Sequence, residues 1–399
     1  MKSLGSRLLT VARRIVSAAD AVTEYFWELR LYFSFRLPSH GEMNAILRRM
    51  GVGGFSEYIL AQKQGYFARR SFLPVDRERV VSELNTLYPD EVRIIVKMAD
   101  TASLGIFNIL GSGPVDVRRG RKGGGHRIDW QLDPTTGIRF PKLFSHYRWP
   151  SCNFQSNGAD IKGPWELARC QHFAALGQAY WLSGNERFAQ IYAKTILDFL
   201  HHNPPGTGIH WACSMDVALR SVGWMVGLSF FQGSPALSFR WWRRFLKALV
   251  AHGRFLAANL EIGNIDKRLI TSNHYTANLL GLYWISTCFP HLDAGNVWRG
   301  LAERGLEREI RHQILTDGGN FESSVPYHRL TTEMFLSAYA MSHHSGTPLS
   351  EGYRDRLLAA LRFSKALRQP GGRWPQIGDA DNGRGHILTG YGSWSQDSM

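Results

Sequence analysis

Two short stretches of the chain set anion-holding and proton-handling side chains at places where a helix begins. In Thr271-Ser272-Asn273-His274 a hydroxyl residue suited to cap a helix, Thr271 or Ser272, precedes an amide and an imidazole, and an apolar helical pattern continues through Leu279 and Leu280. Asn273 and His274 then fall in the first turn, where backbone N–H groups lack intrahelical partners and the helix dipole is positive. That environment favours an anion such as a carboxylate. The second stretch is Glu322-Ser-Ser-Val-Pro326-Tyr327-His328-Arg329. Proline is at home in the first helical position, so Pro326 is expected to open a long helix and to put Tyr327 in its first turn. A phenol, with an ordinary pKa of about 10, can give a proton to an alkoxide or, ionised by positive neighbours, take one. The same residues have plainer readings: an asparagine at a helix start is often only a cap, and a tyrosine there is often a packed ring with its hydroxyl at the surface.

These side chains can act together only if the helices that carry them are brought together. From Pro164 onward the sequence reads as helix-length amphipathic segments near 165 to 182, 186 to 202, 213 to 231, 238 to 259, 272 to 288, 297 to 315, 327 to 344 and 351 to 368. The breaks between them have physical causes: a Ser183-Gly-Asn185 turn, an Asn203-Pro-Pro205 stop, a Gly318-Gly319 break. Short connections favour antiparallel hairpins laid side by side. In a ring of such hairpins alternate helices run the same way, so the helix starts at Asn273 and Tyr327, separated by one helix, would gather on one rim. Hairpins can curve into a toroid whose inner helices line a cleft, although periodicity alone leaves that closure open. Residues 1 to 115 form a mixed lead segment and 116 to 370 the main helical domain. Within the latter, a stretch from about Gly120 to Gly163 rich in Gly, Pro, Asp and Trp shows no sustained period.

The balance of 47 Lys+Arg against 33 Asp+Glu gives a net charge of +14, which favours a polyanionic partner without choosing which. Part of the excess, Arg118, Arg119, Arg121, Lys122 and Arg127, surrounds Gly123 to Gly125 and reads as a solvated loop. No nucleic-acid module is recognisable, so none is expected as a partner. The 13 tryptophans lift carbohydrate binding only mildly, because most tryptophans fill cores. Cys152, Cys170, Cys213 and Cys288 are widely spaced, with no CxxC pair, and indicate neither a zinc site nor a disulfide framework. Arg13, Arg14 and Asp20 interrupt any signal-peptide core in the first 35 residues, which could instead form an amphipathic helix in peripheral contact with a membrane.

Several separated blocks together resemble the heparinase II/III-like polysaccharide lyases and the related alginate lyases. They are Ile128-Asp-Trp130, Trp165-Glu-Leu-Ala-Arg169, Gly208-Ile-His-Trp211 with Asp216 and Arg220, Ser272-Asn-His274, Asp317-Gly-Gly319 with Glu322 and Tyr327, and Ile377-Gly-Asp-Ala-Asp381. The resemblance implies a mainly α fold, an incomplete (α/α) toroid of antiparallel helical hairpins, and β-elimination on a uronate-containing acidic polysaccharide without a cofactor. It implies that Asn273 holds and neutralises the uronate carboxylate, that His274 supports that site or assists proton transfer, and that Tyr327 handles the proton on the leaving oxygen. Arg169, Trp211, Arg220 and Glu322 become candidates to line the cleft, and His328 and Arg329 to tune Tyr327. Asp216 and Arg220, four apart, also read as an ion pair within one helix. The family usually continues into a β-sandwich carrying a further catalytic residue. This chain reaches Met399 soon after Asp381, so residues 371 to 399 read as the start of a linker and the chain as an incomplete lyase, with His386 a remote substitute. The acidic run from Asp379 has its glycine in the wrong place for a calcium loop, and no metal is expected there. Two other readings stay open: an α/α-barrel glycoside hydrolase, which would need opposed acids such as Glu322 and Asp216, and a non-catalytic glycan-binding or exopolysaccharide accessory protein.

Overall fold

The computed structural model describes residues 35–65, 67, 76–118, 127–140, 158–265, 268–370, 372–380 and 383–388. The expected amphipathic segment before residue 35, most of the basic glycine loop, Cys152 and Asp381 lie outside these residues.

The lead segment folds into α1 (His40–Arg49), α2 (Phe55–Lys63), α3 (Arg77–Leu87) and α4 (Pro89–Ser103), followed by a two-stranded antiparallel ribbon of β1 (Ile106–Asn108) and β2 (Pro114–Asp116). The main helices are α5 (Lys162–Ala168), α6 (His172–Ser183), α7 (Glu186–His202), α8 (Ser214–Phe231), α9 (Phe239–Ala258), α10 (Asn273–Cys288), α11 (Val297–Gln313), α12 (Val325–His344) and α13 (Glu351–Leu367). A second ribbon, β3 (Gly263–Ile265) with β4 (Arg268–Ile270), joins α9 to α10. Most bounds fall within two residues of those expected from periodicity. The segment expected as one helix over 165 to 182 is instead two, broken where Cys170 takes a left-handed φ of 57°. The cause is tertiary: the Arg169 carbonyl lies against Gly223 of α8, where a Cβ would stand only 2.4 Å from that oxygen.

The helices form two layers. In the inner layer α4 packs on α6, α6 on α8, α8 on α10 and α10 on α12; in the outer layer α7 packs on α9 and α11 on α13, with α9 and α11 also covering α10. This is the open α/α toroid. α8 and α10 are buried along nearly their whole lengths and accordingly lack the one-sided pattern of a surface helix. They approach closely at Gly281, where a Cβ would sit 2.8 Å from that of Ala218. Trp130, Trp211, Trp224, Trp241, Trp242 and Trp284 are fully enclosed, so they fill the core and offer no face to a sugar. The apolar core runs without interruption from Phe35 to Ile387, across the boundary expected near residue 115. Among the described residues no helix is long and apolar enough to cross a membrane.

Candidate active site

Ser272 caps α10, its hydroxyl accepting from the His274 N–H at 3.3 Å, while Thr271 donates to Glu309 at 2.6 Å. Asn273 follows immediately and meets Glu322. Its backbone N–H donates to Glu322 Oε1 at 3.0 Å, and its amide nitrogen lies 3.1 and 2.9 Å from Glu322 Oε1 and Oε2. A carboxylate thus already sits on the open N–H groups of this helix, as the dipole argument requires, but it belongs to the protein. Glu322 is aimed there by the turn ahead of α12. Its N–H bonds Asn320 Oδ1 at 2.9 Å, and Ser323 takes a φ of 57°, unusual for a residue with a Cβ.

Ser324 caps α12, so Val325 is its first residue and Pro326 the second, one position later than proline's preferred place. The Ser324 hydroxyl donates to the Asp379 carbonyl at 2.6 Å, and the Val325 N–H to Ile377 at 2.9 Å. The segment after α13 is thereby held across the start of α12. It puts the Asp379 carboxylate 3.2 Å from the Tyr327 hydroxyl, which donates to it from a half-buried position. The Asn273 and Tyr327 helix starts share a rim, with Glu322 as the bridge between them.

On the other side of Asn273, His274 Nδ1 lies 3.0 Å from Glu261 Oε1 and 3.8 Å from Cys213 Sγ, the residue just ahead of α8. Glu261 is fixed through its other oxygen, which accepts from the Met215 N–H at 2.8 Å and the Asn278 amide at 2.9 Å. Burial works against a charge on His274. The hydrogen bond and charge of Glu261, with the charge of Asp216 behind it, win and raise its pKa above the usual histidine range. The Nδ1 proton faces Glu261, which leaves Nε2 of this partly exposed ring for a ligand. Arg169 stands at the next position along the rim, donating to Asp216 at 2.7 Å and Glu166 at 2.8 Å. The starts of α6, α8, α10 and α12 are therefore linked by Arg169, Asp216, Cys213, Glu261, His274, Asn273 and Glu322. Glu261 and Cys213 carry no local signal in the sequence. They reach His274 only because α8 and α10 pack side by side.

Two expected cleft residues, and one expected to tune Tyr327, lie elsewhere. Trp211 and Arg220 are wholly buried. The Arg220 guanidinium packs 4.6 Å from the Phe199 ring and 5.0 Å from that of Trp211, and donates to the His210 carbonyl at 3.0 Å and to His252 Nε2 at 3.1 Å. Its expected ion pair with Asp216 is replaced by the Arg169–Asp216 pair. Burial pulls the Arg220 pKa down to about 10, which still leaves it charged at neutral pH. His328 faces away from Tyr327 and into the interface with α13, where Nε2 lies 2.9 Å from Ser364 Oγ and the ring meets Phe363. Arg329 donates to the Gly383 carbonyl at 3.2 Å and so braces the returning segment. His386 does come back to the domain, but it meets Ser337 at 2.9 Å and the Trp284 ring; Ser337 is ten residues, about 15 Å of helix, beyond Tyr327.

The sequence and the fold both have relatives. The profile of the heparinase II/III N-terminus matches residues 111–396, most of the chain, and the protein belongs to this family. A heparin-sulfate lyase of Bacteroides stercoris is 22% identical over 256 residues, which are 58% of this chain and 37% of that protein. A heparin-sulfate lyase of Pedobacter heparinus is 27% identical over 181 residues, 44% of this chain and 26% of that protein. Among solved structures, a heparan sulfate lyase from Pedobacter heparinus superposes with a TM-score of 0.53 at 19% identity, over 86% of this chain and 49% of that one. The chain thus spans less than half the length of each of these relatives, and the structural likeness establishes the fold.

Proposed function

We propose that the protein is a polysaccharide lyase that cleaves a uronate-containing acidic polysaccharide by β-elimination. The observation that supports this reading is the placement of an asparagine amide and a histidine with a raised pKa in the first turn of α10 and a tyrosine in the first turn of α12, the next inner helix, with Glu322 from the turn ahead of α12 bonded to Asn273. A proton next to a carboxylate is very weakly acidic, and removing it requires the enolate-like charge to be met by donors already in place. His274, donating from Nε2, and the Asn273 amide supply a cation and a dipole for that carboxylate. Glu322 orients the Asn273 amide at the start of α10. Tyr327 delivers the proton that the leaving sugar oxygen needs as its bond to carbon breaks, and Arg169, held between Asp216 and Glu166, fixes the neighbouring stretch of the rim. The names of the relatives support a heparin or heparan sulfate substrate class, and the excess of basic residues fits a polyanion.

A hydrolase reading is weaker on geometry. The two carboxylates it would use are committed, Glu322 to Asn273 and Asp216 to Arg169. Elimination leaves an unsaturated uronate that absorbs in the ultraviolet, and hydrolysis does not. The purified protein should therefore be tested against heparan sulfate, hyaluronan and alginate for both ultraviolet absorbance and new reducing ends. Absorbance rising with reducing ends supports the proposal; reducing ends alone refute it. Salt-sensitive binding with neither signal would point to a glycan-binding role.

A further inference from the structure

Cys213, Glu261 and His274 gather a sulfur, an oxygen and a nitrogen around one point. Cys213 Sγ is 3.6 Å from Glu261 Oε1 and 3.8 Å from His274 Nδ1, and those last two atoms are 3.0 Å apart. A tetrahedral zinc ion with bonds of roughly 2.0 to 2.3 Å separates such ligand atoms by about 3.3 to 3.6 Å. The triangle therefore needs shifts of only a few tenths of an ångström to close on an ion. Its orientation is already fixed from outside. Glu261 Oε2 is held by the Met215 N–H and the Asn278 amide, and the Glu261 N–H donates to Asn278 Oδ1 at 2.8 Å, which aims Oε1 inward. Bonds of this kind, made by atoms other than the ligating ones, are what hold metal ligands in register. The cysteine is buried on the inner side, while His274 and Glu261 are partly exposed and leave an open side toward the rim.

We propose that Cys213, Glu261 and His274 form a three-ligand site for a zinc-class divalent cation, binding through Sγ, Oε1 and Nδ1, with the fourth position open to water. The thiol and the imidazole Nδ1 each lose a proton to solvent as the ion binds. The mixture of thiolate, imidazole and carboxylate selects zinc or cobalt over magnesium and calcium, which prefer all-oxygen sites. The ion takes the place of the Nδ1 proton that faces Glu261, and the ring keeps Nε2 toward the rim. Any effect on catalysis rests on the lyase reading; the binding site itself does not.

Binding is therefore tested without substrate, by calorimetric titration of the metal-free protein with zinc chloride and by the absorption spectrum after adding cobalt(II). One equivalent of zinc should bind, and cobalt should give a thiolate charge-transfer band with the intense visible bands of a tetrahedral site. Magnesium and calcium should not compete. Cys213→Ser should abolish the charge-transfer band and weaken zinc by about tenfold or more, and Glu261→Gln should weaken it similarly. Circular dichroism and thermal melting check that each variant is folded. If Cys213→Ser does not fold, the wild-type cobalt spectrum together with Glu261→Gln decides. Absence of zinc binding, a cobalt spectrum without thiolate character, or affinity unchanged in the folded variants overturns the site. Zinc binding in a protein with no elimination activity would sink the lyase reading and leave the site standing.

Discussion

Asn273 and Tyr327 bear the proposed chemistry unequally, and their substitutions separate the two roles. Tyr327→Phe deletes a hydroxyl whose described partner is Asp379 at a partly open surface and removes almost no volume. The variant is expected to keep its melting temperature and most of its substrate affinity while kcat falls by roughly 100- to 10,000-fold, the usual range for a proton-transfer group. Turnover near wild type would remove Tyr327 from the reaction. Asn273→Ala leaves the Ser272 cap in place, so α10 should still start where it does, and the loss should appear in catalysis as about 100- to 1,000-fold in kcat, the scale of one lost oxyanion-type donor. Steady-state kinetics on a soluble acidic glycan, paired with thermal melts, would check both.

Among the elements, α8 decides how the rim is assembled. Its Gly223 admits the Arg169 carbonyl, and the break between α5 and α6 that this contact permits turns Arg169 toward Asp216. Gly223→Ala puts a methyl group into a backbone oxygen that cannot move away cheaply. It should cost roughly 1 to 3 kcal/mol, measurable by denaturant unfolding. Since it also displaces Arg169, KM for a polyanionic substrate should rise in the folded variant. One turn earlier, Arg220 is a core residue. Arg220→Met leaves the His210 carbonyl and His252 Nε2 without their donor and should cost about 1 to 3 kcal/mol. The folded fraction should keep its KM, and a changed KM would restore Arg220 to the cleft.

For the whole molecule, histidines sealed in the core make the fold sensitive to acid. Burial, helped by the charge of Arg220, pushes His210 down to about 3 and His252 well below its ordinary 6.5. Both are therefore neutral in the fold, and His252 Nε2 can accept from Arg220 while Nδ1 donates to the Ala248 carbonyl at 2.8 Å. A histidine whose folded pKa is depressed lends stability that is present above the unfolded pKa and is lost as pH falls below it. Each should contribute a slope of about 1.4 kcal/mol per pH unit from about 6.5 downward, until its folded pKa is reached. Denaturant unfolding at pH 7, 6 and 5 should show stability falling on acidification with a slope above that of a single proton. A flat profile would mean that these sites are wet or already protonated.

The helices were legible in the chain because amphipathic periodicity, serine caps and Gly or Pro breaks are local signals, and α7, α8 and α13 begin and end where those signals say. The anion-holding character of Asn273 was legible for the same reason, since the first turn of a helix has the same open N–H groups in any fold. Contacts between helices are set by side chains far apart in sequence. Nothing near Arg220 reveals that it points into the core, and nothing near Asp216 reveals that its partner is Arg169 rather than the arginine four residues away. Glu261 and Cys213 meet His274 only when the stretch that follows α9 and the start of α8 are folded against it. Periodicity determines which face of a helix is apolar, but the packing of α8 between α6 and α10 decides which polar groups are shut in with that face and which are left along the rim.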